Sequence, residues 1–119
     1  MTCYCALRPW PHRHVLRMLD MYALSRNSRL SLAIVLQHCD TSLWRIFRDS
    51  GSTNGLALAR VAQHVEEAMS GVSHLHSLGI VHGDLSLSNL LVSSTGVKVA
   101  DMNTAHWAHD FIVPESWKW

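Results

Sequence analysis

The sequence has little charge, few cysteines and no long apolar run. Charged residues make up 16% of the 119 positions, with 10 Lys+Arg against 9 Asp+Glu and a formal net charge of +1. A chain so nearly balanced has no field that would gather nucleic acid or an anionic membrane surface, so neither is expected as a partner. Cys3, Cys5 and Cys39 are an odd, sparse set without zinc-ligand spacing. They argue against a disulfide framework and for a reducing compartment, cytoplasm or nucleus. The longest nearly apolar stretch, Leu30 to Leu36, is interrupted by Ser31, whereas a membrane-spanning helix needs about 20 residues. Met1 to Trp10 lacks the basic start and apolar stretch of a secretory signal. No repeat or low-complexity tract is present. With 48% hydrophobic residues, the composition is that of a globular chain of one domain or less.

The apolar pattern divides the chain. Residues 1–11, with Pro9 and Pro11, show no period and read as a loose lead-in. Val15–Leu19 and Leu32–Leu36 are short apolar runs. They read as strands joined by the polar loop Ser25–Arg29, although a buried helical turn can show the same pattern. Ser42–Phe47 has room for a short helix, with Trp44 as a packing residue, and Asp49–Gly55 reads as a loop. The strongest helix signal follows. Leu58, Val61, Ala62, Val65, Ala68, Met69, Val72, Leu75 and His76 recur at three- and four-residue steps, and Gly79 stands where a left-handed residue ends a helix. Gly71 interrupts this helix at a cost of about 1 kcal/mol against Ala, which close packing would explain. Leu90–Val92 and Val97–Ala100, separated by Ser93–Gly96, read as a β-hairpin.

That hairpin has a geometric consequence. If Val92 pairs with Val97, Asn89 lies opposite Ala100 and Asp101 lies one step beyond. Asp84 precedes Asn89 in a loop too short to leave that edge. Two carboxylates and an amide then converge, which is the hard-oxygen set that suits magnesium with phosphate. Taken singly, each of these residues is more often a turn former or a cap, but their joint spacing is much harder to explain that way. The nine histidines supply no comparable set. His74 and His76 diverge on a helix, and His106 with His109 lacks a third ligand.

With these residues in view, the chain resembles a protein kinase. His82-Gly83-Asp84-Leu85-Ser86-Leu87-Ser88-Asn89 resembles the kinase catalytic loop, and Val97-Lys98-Val99-Ala100-Asp101 resembles the strand entering the metal-binding turn. His74–Val81 resembles the end of the long large-lobe helix, His12–Asp20 the strand after the regulatory helix, and Ile34–Asp40 the strand and hinge behind adenine. Ser88–Val92 resembles the cyclin-dependent and mitogen-activated branch, while His82-Gly83-Asp84 resembles atypical kinases and small-molecule phosphotransferases. Val113-Pro114-Glu115 resembles the end of an activation segment.

The resemblance implies an α+β fold, a partial protein-kinase-like domain. Residues 12–40 would be the end of the small-lobe sheet and the hinge, 41–101 the start of the large lobe, and 102–119 a short activation-segment-like tail. It implies ATP and Mg2+ as cofactors, a protein substrate or partner, and phosphotransfer to Ser or Thr hydroxyls. Asp84 would be the catalytic base, and Asn89 and Asp101 the metal ligands. Leu36, Gln37, Cys39 and Leu91 would surround adenine, with backbone groups of Gln37 and Cys39 facing it, and Ser86 would lie on the phosphate side. The sequence departs from the family pattern at Gly83 (usually Arg), Ser86 (usually Lys or Arg) and Met102-Asn103 (usually Phe-Gly). It shows no Gly-rich loop or small-lobe lysine before His12. These departures point to a truncated domain, weak or inactive alone. The alternatives are a pseudokinase that serves as a binding module, a small-molecule phosphotransferase, and an incomplete gene product. Asn tolerates left-handed geometry better than most residues, so the metal-binding turn is expected to survive the change at Met102-Asn103.

Overall fold

The computed structural model describes residues 3–50 and 58–110. It is a mixed α+β architecture, as the resemblance implies. In chain order it comprises α1 (Cys3–Leu7), β1 (Met18–Arg26), β2 (Arg29–Leu36), β3 (Thr41–Ser42), α2 (Leu43–Asp49), α3 (Leu58–Ser77), β4 (Ile80–Val81), β5 (Leu90–Ser93), β6 (Gly96–Val99) and β7 (His106–Trp107). One-turn 3-10 helices occupy Leu87–Asn89, Met102–Thr104 and Ala108–Asp110.

The core gathers where α3 crosses β6. Leu75, Ile80, Val97 and Val99 are almost wholly buried, each side chain contributing about 1.5–3 kcal/mol by leaving water. β6 has neighbours on both edges. On one side β5 pairs antiparallel, Val92 opposite Val97, and β3 pairs with β5 beyond it. On the other side Val15 forms a parallel bridge to Val99. There the Val99 N–H donates to the His14 carbonyl at 2.9 Å, and the Leu16 N–H donates to the Val99 carbonyl at 2.8 Å. Gly71 permits this layering. A Cβ there would lie 2.2 Å from the His14 carbonyl oxygen and 2.8 Å from Val99 Cγ2.

Helix ends follow their local chemistry. Ser42 caps α2, its hydroxyl accepting from the Arg45 N–H at 3.3 Å. Gly79, with φ +74°, ends α3 as its position indicates. The apolar stripe of α3 is narrower than expected. Ala68, Val72 and Leu75 are buried, but Val65 and Met69 are more than half exposed, because the buried line runs through Gly71 to one side of them.

Several elements differ from the sequence reading. Residues 1–11 are not a loose lead-in throughout. Cys3, Tyr4 and Leu7 are buried on α1 and join the main core. Five residues are too few to show a helical period. Ser25–Arg29 is not a loop. β1 and β2 run to a two-residue turn, Asn27-Ser28, with φ 49° and 61°, whose twist suits a tight hairpin. β1 begins at Met18, since Val15 and Leu16 are committed to β6. Ser93–Gly96 is likewise a two-residue turn, with Ser93 paired to Gly96. Trp44 is 48% exposed, its ring lying under the Arg48 guanidinium at 4.7 Å, so it is a surface residue. Most of the loop expected at Asp49–Gly55, and Val113-Pro114-Glu115, lie outside the described residues. Among the described residues, no helix is long and apolar enough to cross a membrane.

Candidate functional site

The β5–β6 register sets the site. Leu90 pairs with Val99, and the Ala100 N–H donates to the Asn89 carbonyl at 2.9 Å. Asn89 therefore lies opposite Ala100, and Asp101 follows at the open end of the hairpin. Asn89 and Asp101 line one cleft of about 440 Å³ together with Leu36, Leu91, Ser88 and Tyr4. Asp84 joins this edge through Asn89. The Asn89 Nδ2 donates to the Asp84 carbonyl at 2.8 Å and to its carboxylate at 3.3 Å. The structure thus places Asn89 and Asp101 in one cleft with two apolar side chains expected around adenine, and bonds Asp84 to Asn89.

His82 ties the loop carrying Asp84 to the strand carrying Asp101. Its Nε2 donates to the Ala100 carbonyl at 2.7 Å, and its Nδ1 accepts from the Asp84 N–H at 3.2 Å. These two bonds assign the ring nitrogens as one donor and one acceptor. The ring is buried, 3% exposed, so the bonds are not exchanged for water. Thr104 braces the same loop, its hydroxyl donating to the His82 carbonyl at 3.1 Å.

The backbone at Asp101 is left-handed, φ 61° and ψ 74°. Asp101, and not Asn103, carries the positive φ of this turn. Asn103 lies within the 3-10 turn, and its N–H donates to the Asp101 carboxylate at 3.3 Å. Asp101 thus caps the turn that follows it while its side chain borders the cleft. The Tyr4 hydroxyl accepts from the Asp101 N–H at 3.0 Å and from the Met102 N–H at 3.4 Å. Burial pushes the Tyr4 phenol up from its ordinary value, and the two N–H bonds oppose that shift. The phenol therefore stays protonated at neutral pH.

Gln37, Cys39 and Ser86 are not among the residues that line this cleft. The Gln37 N–H donates to the Arg17 carbonyl at 2.9 Å, and the residue borders a separate cavity with Lys98 and Arg17. Cys39 is half-buried between Gln37 and Asp40, where the Asp40 N–H, donating to the Val92 carbonyl at 2.9 Å, pins the segment to β5. Ser86 is held by Ser88, hydroxyl to hydroxyl at 2.9 Å, and Ser88 is the one that lines the cleft. Sequence reasoning missed Ser88, Tyr4 and Asn103 as cleft residues. Ser88 was within reach, standing directly before Asn89, but nothing in the sequence connects Tyr4 to Asp101.

The protein kinase domain family model matches residues 4–110. This chain belongs to the protein kinase family. It is 36% identical to mouse (Mus musculus) cyclin-dependent kinase 4 over 101 residues, 83% of this chain and 33% of that protein. The sheep (Ovis aries) cyclin-dependent kinase 4 is 34% identical over the same length, 83% of this chain and 33% of that protein. Against the rat (Rattus norvegicus) serine/threonine-protein kinase STK11 the identity is 27% over 111 residues, 92% of this chain and 25% of that protein. The chain therefore spans a quarter to a third of the length of these curated relatives. The family match begins at Tyr4, within α1, consistent with that helix belonging to the domain.

Proposed function

We propose that this chain carries the magnesium–ATP side of a protein-kinase site and serves transfer of the ATP γ-phosphate to a Ser or Thr hydroxyl. The observation that supports this most is the shared cleft. Asn89 and Asp101 border it beside Leu36 and Leu91, with Asp84 bonded to Asn89. An amide oxygen and a carboxylate are hard donors of the kind magnesium takes, one or two carboxylates at a time, so the residues present fit the ion. Magnesium supplies neutralisation of the phosphate charge when bound. Leu36 and Leu91 offer apolar contact to a base. Asp84, exposed at the cleft edge, accepts the proton of the substrate hydroxyl or orients that hydroxyl. Such a division suits a reaction that needs positioning and charge stabilisation more than covalent chemistry from protein.

A second reading, nucleotide binding without turnover, is favoured by Ser86. At the phosphate side its hydroxyl meets Ser88 rather than presenting a cation, so this position adds no charge stabilisation to a transition state. Cys3 and Cys39 are free thiols, which suits an intracellular setting.

Two measurements test the proposal. ATP should raise the melting temperature only when magnesium is present. Labelled γ-phosphate should appear on generic protein substrates and disappear with Asp84→Ala. Transfer to a sugar or amino alcohol instead would move the assignment to a small-molecule phosphotransferase. Magnesium-dependent stabilisation without transfer would leave the binding module. Absence of any shift at millimolar ATP would overturn both.

A further inference from the structure

Asp101 is one of three non-glycine residues with positive φ among those described. The other two, Asn27 and Ser28, form the exposed turn between β1 and β2, where the hairpin itself requires that geometry. Asp101 has no hairpin turn to explain its conformation. A left-handed L-residue costs roughly 1–2 kcal/mol, which the Asn103 N–H bond to the Asp101 carboxylate offsets in part, and further groups hold the backbone itself. The groups that do so are visible. After a left-handed residue the chain presents its own N–H and the next one to the same side, and both point at a single atom, the Tyr4 hydroxyl oxygen, at 3.0 and 3.4 Å.

We propose that Tyr4 is a positioning residue for Asp101. Its phenol oxygen, delivered by α1, accepts the N–H groups of Asp101 and Met102, holds Asp101 left-handed, and so pre-sets the carboxylate at the cleft. This rests on the reading of Asp101 as a magnesium ligand and deepens it. Three features make the phenol an effective clamp. Tyr4 is 4% exposed, so water does not replace it readily. Met102, also buried, anchors the far side of the turn. Cys3, the neighbour of Tyr4, donates its thiol to the Ala105 carbonyl at 3.2 Å, so α1 grips the 101–105 segment at both ends. Tyr4 also lines the same cleft as Asp101 and Asn89. A conformational cost set near the ligand and offset by a distant element is a usual form of pre-organisation.

The test uses the full chain with Tyr4→Phe, which keeps the ring and removes only the oxygen, and Cys3→Ala, which loosens the same helix but leaves the phenol. Amide hydrogen exchange is read without nucleotide. Tyr4→Phe should speed exchange at Asp101 and Met102 by about tenfold while leaving Val97 and Val99 unchanged. Magnesium is then titrated against ATP binding. Tyr4→Phe should raise the half-saturating magnesium concentration by about fivefold to tenfold. Cys3→Ala should lower the melting temperature without moving the magnesium requirement. Unchanged exchange at Asp101 and Met102 in Tyr4→Phe would overturn the proposal. So would an equal magnesium shift in Cys3→Ala, which would assign the effect to packing of α1. If the unaltered chain shows no magnesium-dependent ATP binding, the reading of Asp101 as a ligand fails, and the exchange comparison still decides whether Tyr4 sets its conformation.

Discussion

Asn89 holds Asp84 with a single nitrogen that donates both to its carbonyl, at 2.8 Å, and to its carboxylate, at 3.3 Å. With its NH2 group turned to Asp84, the amide leaves its oxygen as the atom available to the cleft. The same residue serves the sheet, its carbonyl accepting the Ala100 N–H. Asn89→Ala should therefore separate the two roles. The main-chain bond to Ala100 survives, and the tether to Asp84 is lost at about 1 kcal/mol. Urea unfolding should show that loss with an unchanged slope. ATP binding in magnesium should weaken at least about tenfold. An Asn89→Ala protein with wild-type magnesium dependence would remove Asn89 from the site.

Gly71 offers a sharper structural test. A methyl group there would stand 2.2 Å from the His14 carbonyl oxygen, the atom that accepts the Val99 N–H. Helix propensity alone favours Ala over Gly by about 1 kcal/mol. Packing opposes it, since the contact is backbone that cannot turn aside. Gly71→Ala should destabilise the fold by about 3 kcal/mol or leave it unfolded at room temperature. A stabilised Gly71→Ala would mean that α3 does not approach the 14–16 segment this closely.

These two positions show what could be read from the sequence. Antiparallel pairing repeats every two residues, so once Val92 was set against Val97, the places of Asn89 and Asp101 followed without tertiary information. α3 was legible from its apolar steps and from Gly79. What escaped reading depends on contacts distant in sequence. α1 is too short for a period. Tyr4 reaches Asp101 across 97 positions. Gln37, expected beside adenine from its place in a family pattern, borders a different cavity with Lys98 and Arg17. Val65 and Met69 fit the helical period yet stay exposed, because period identifies a face and not the width of what covers it.

Acid should loosen the junction between α3 and the segment before Val15. The His12 ring stacks on His74 at 4.6 Å, and its Nδ1 accepts the His14 N–H at 3.2 Å. Burial, then His74, His14, Lys98 and Arg13, hold its proton affinity below the ordinary value of 6.5. A depressed folded value means that the unfolded chain takes the proton first. The stability this gives is complete above 6.5 and is lost as the pH falls through the folded value. Glu67 acts in the same direction at lower pH. Burial would raise its carboxyl, but bonds from the Val97 N–H and Gln63 outweigh it and bring it below 4.5. Melting temperature should therefore fall from pH 7 to pH 5, and fall again below pH 4.5. His12→Asn, which retains an acceptor without a titrating proton, should flatten the first decline. An unchanged profile in that variant would exclude His12 as its source.

The β1–β2 hairpin exposes Leu24 at 53% and Leu30 at 80%. Leu24 pairs with Ser31 and Leu30 with Ser25, which sets the two leucines on opposite faces of the hairpin, and exposed apolar residues on a two-stranded edge invite association. Leu24→Lys with Leu30→Lys should raise the soluble fraction and leave the melting temperature within about 1 °C, since surface changes rarely exceed ±0.5 kcal/mol. A large drop in melting temperature would show that these side chains are covered in solution.

Gly83 stands where the kinase pattern usually has arginine, so pattern alone would favour Gly83→Arg. The geometry argues the opposite. Gly83 has φ +82°, and a Cβ there would lie 2.9 Å from the Thr104 carbonyl oxygen. Thr104 in turn donates to the His82 carbonyl, so pushing it away disturbs the brace on the loop carrying Asp84. Gly79 is the control, because it has φ +74° and nothing within 4 Å of a built Cβ. Gly79→Ala should cost only the left-handed strain, about 1 kcal/mol. Gly83→Ala and Gly83→Arg should each cost about 1 kcal/mol more, from crowding against backbone. Urea unfolding of the three variants gives the difference directly. Equal losses at the two glycines would show that Thr104 yields freely, and the crowding argument would then fail.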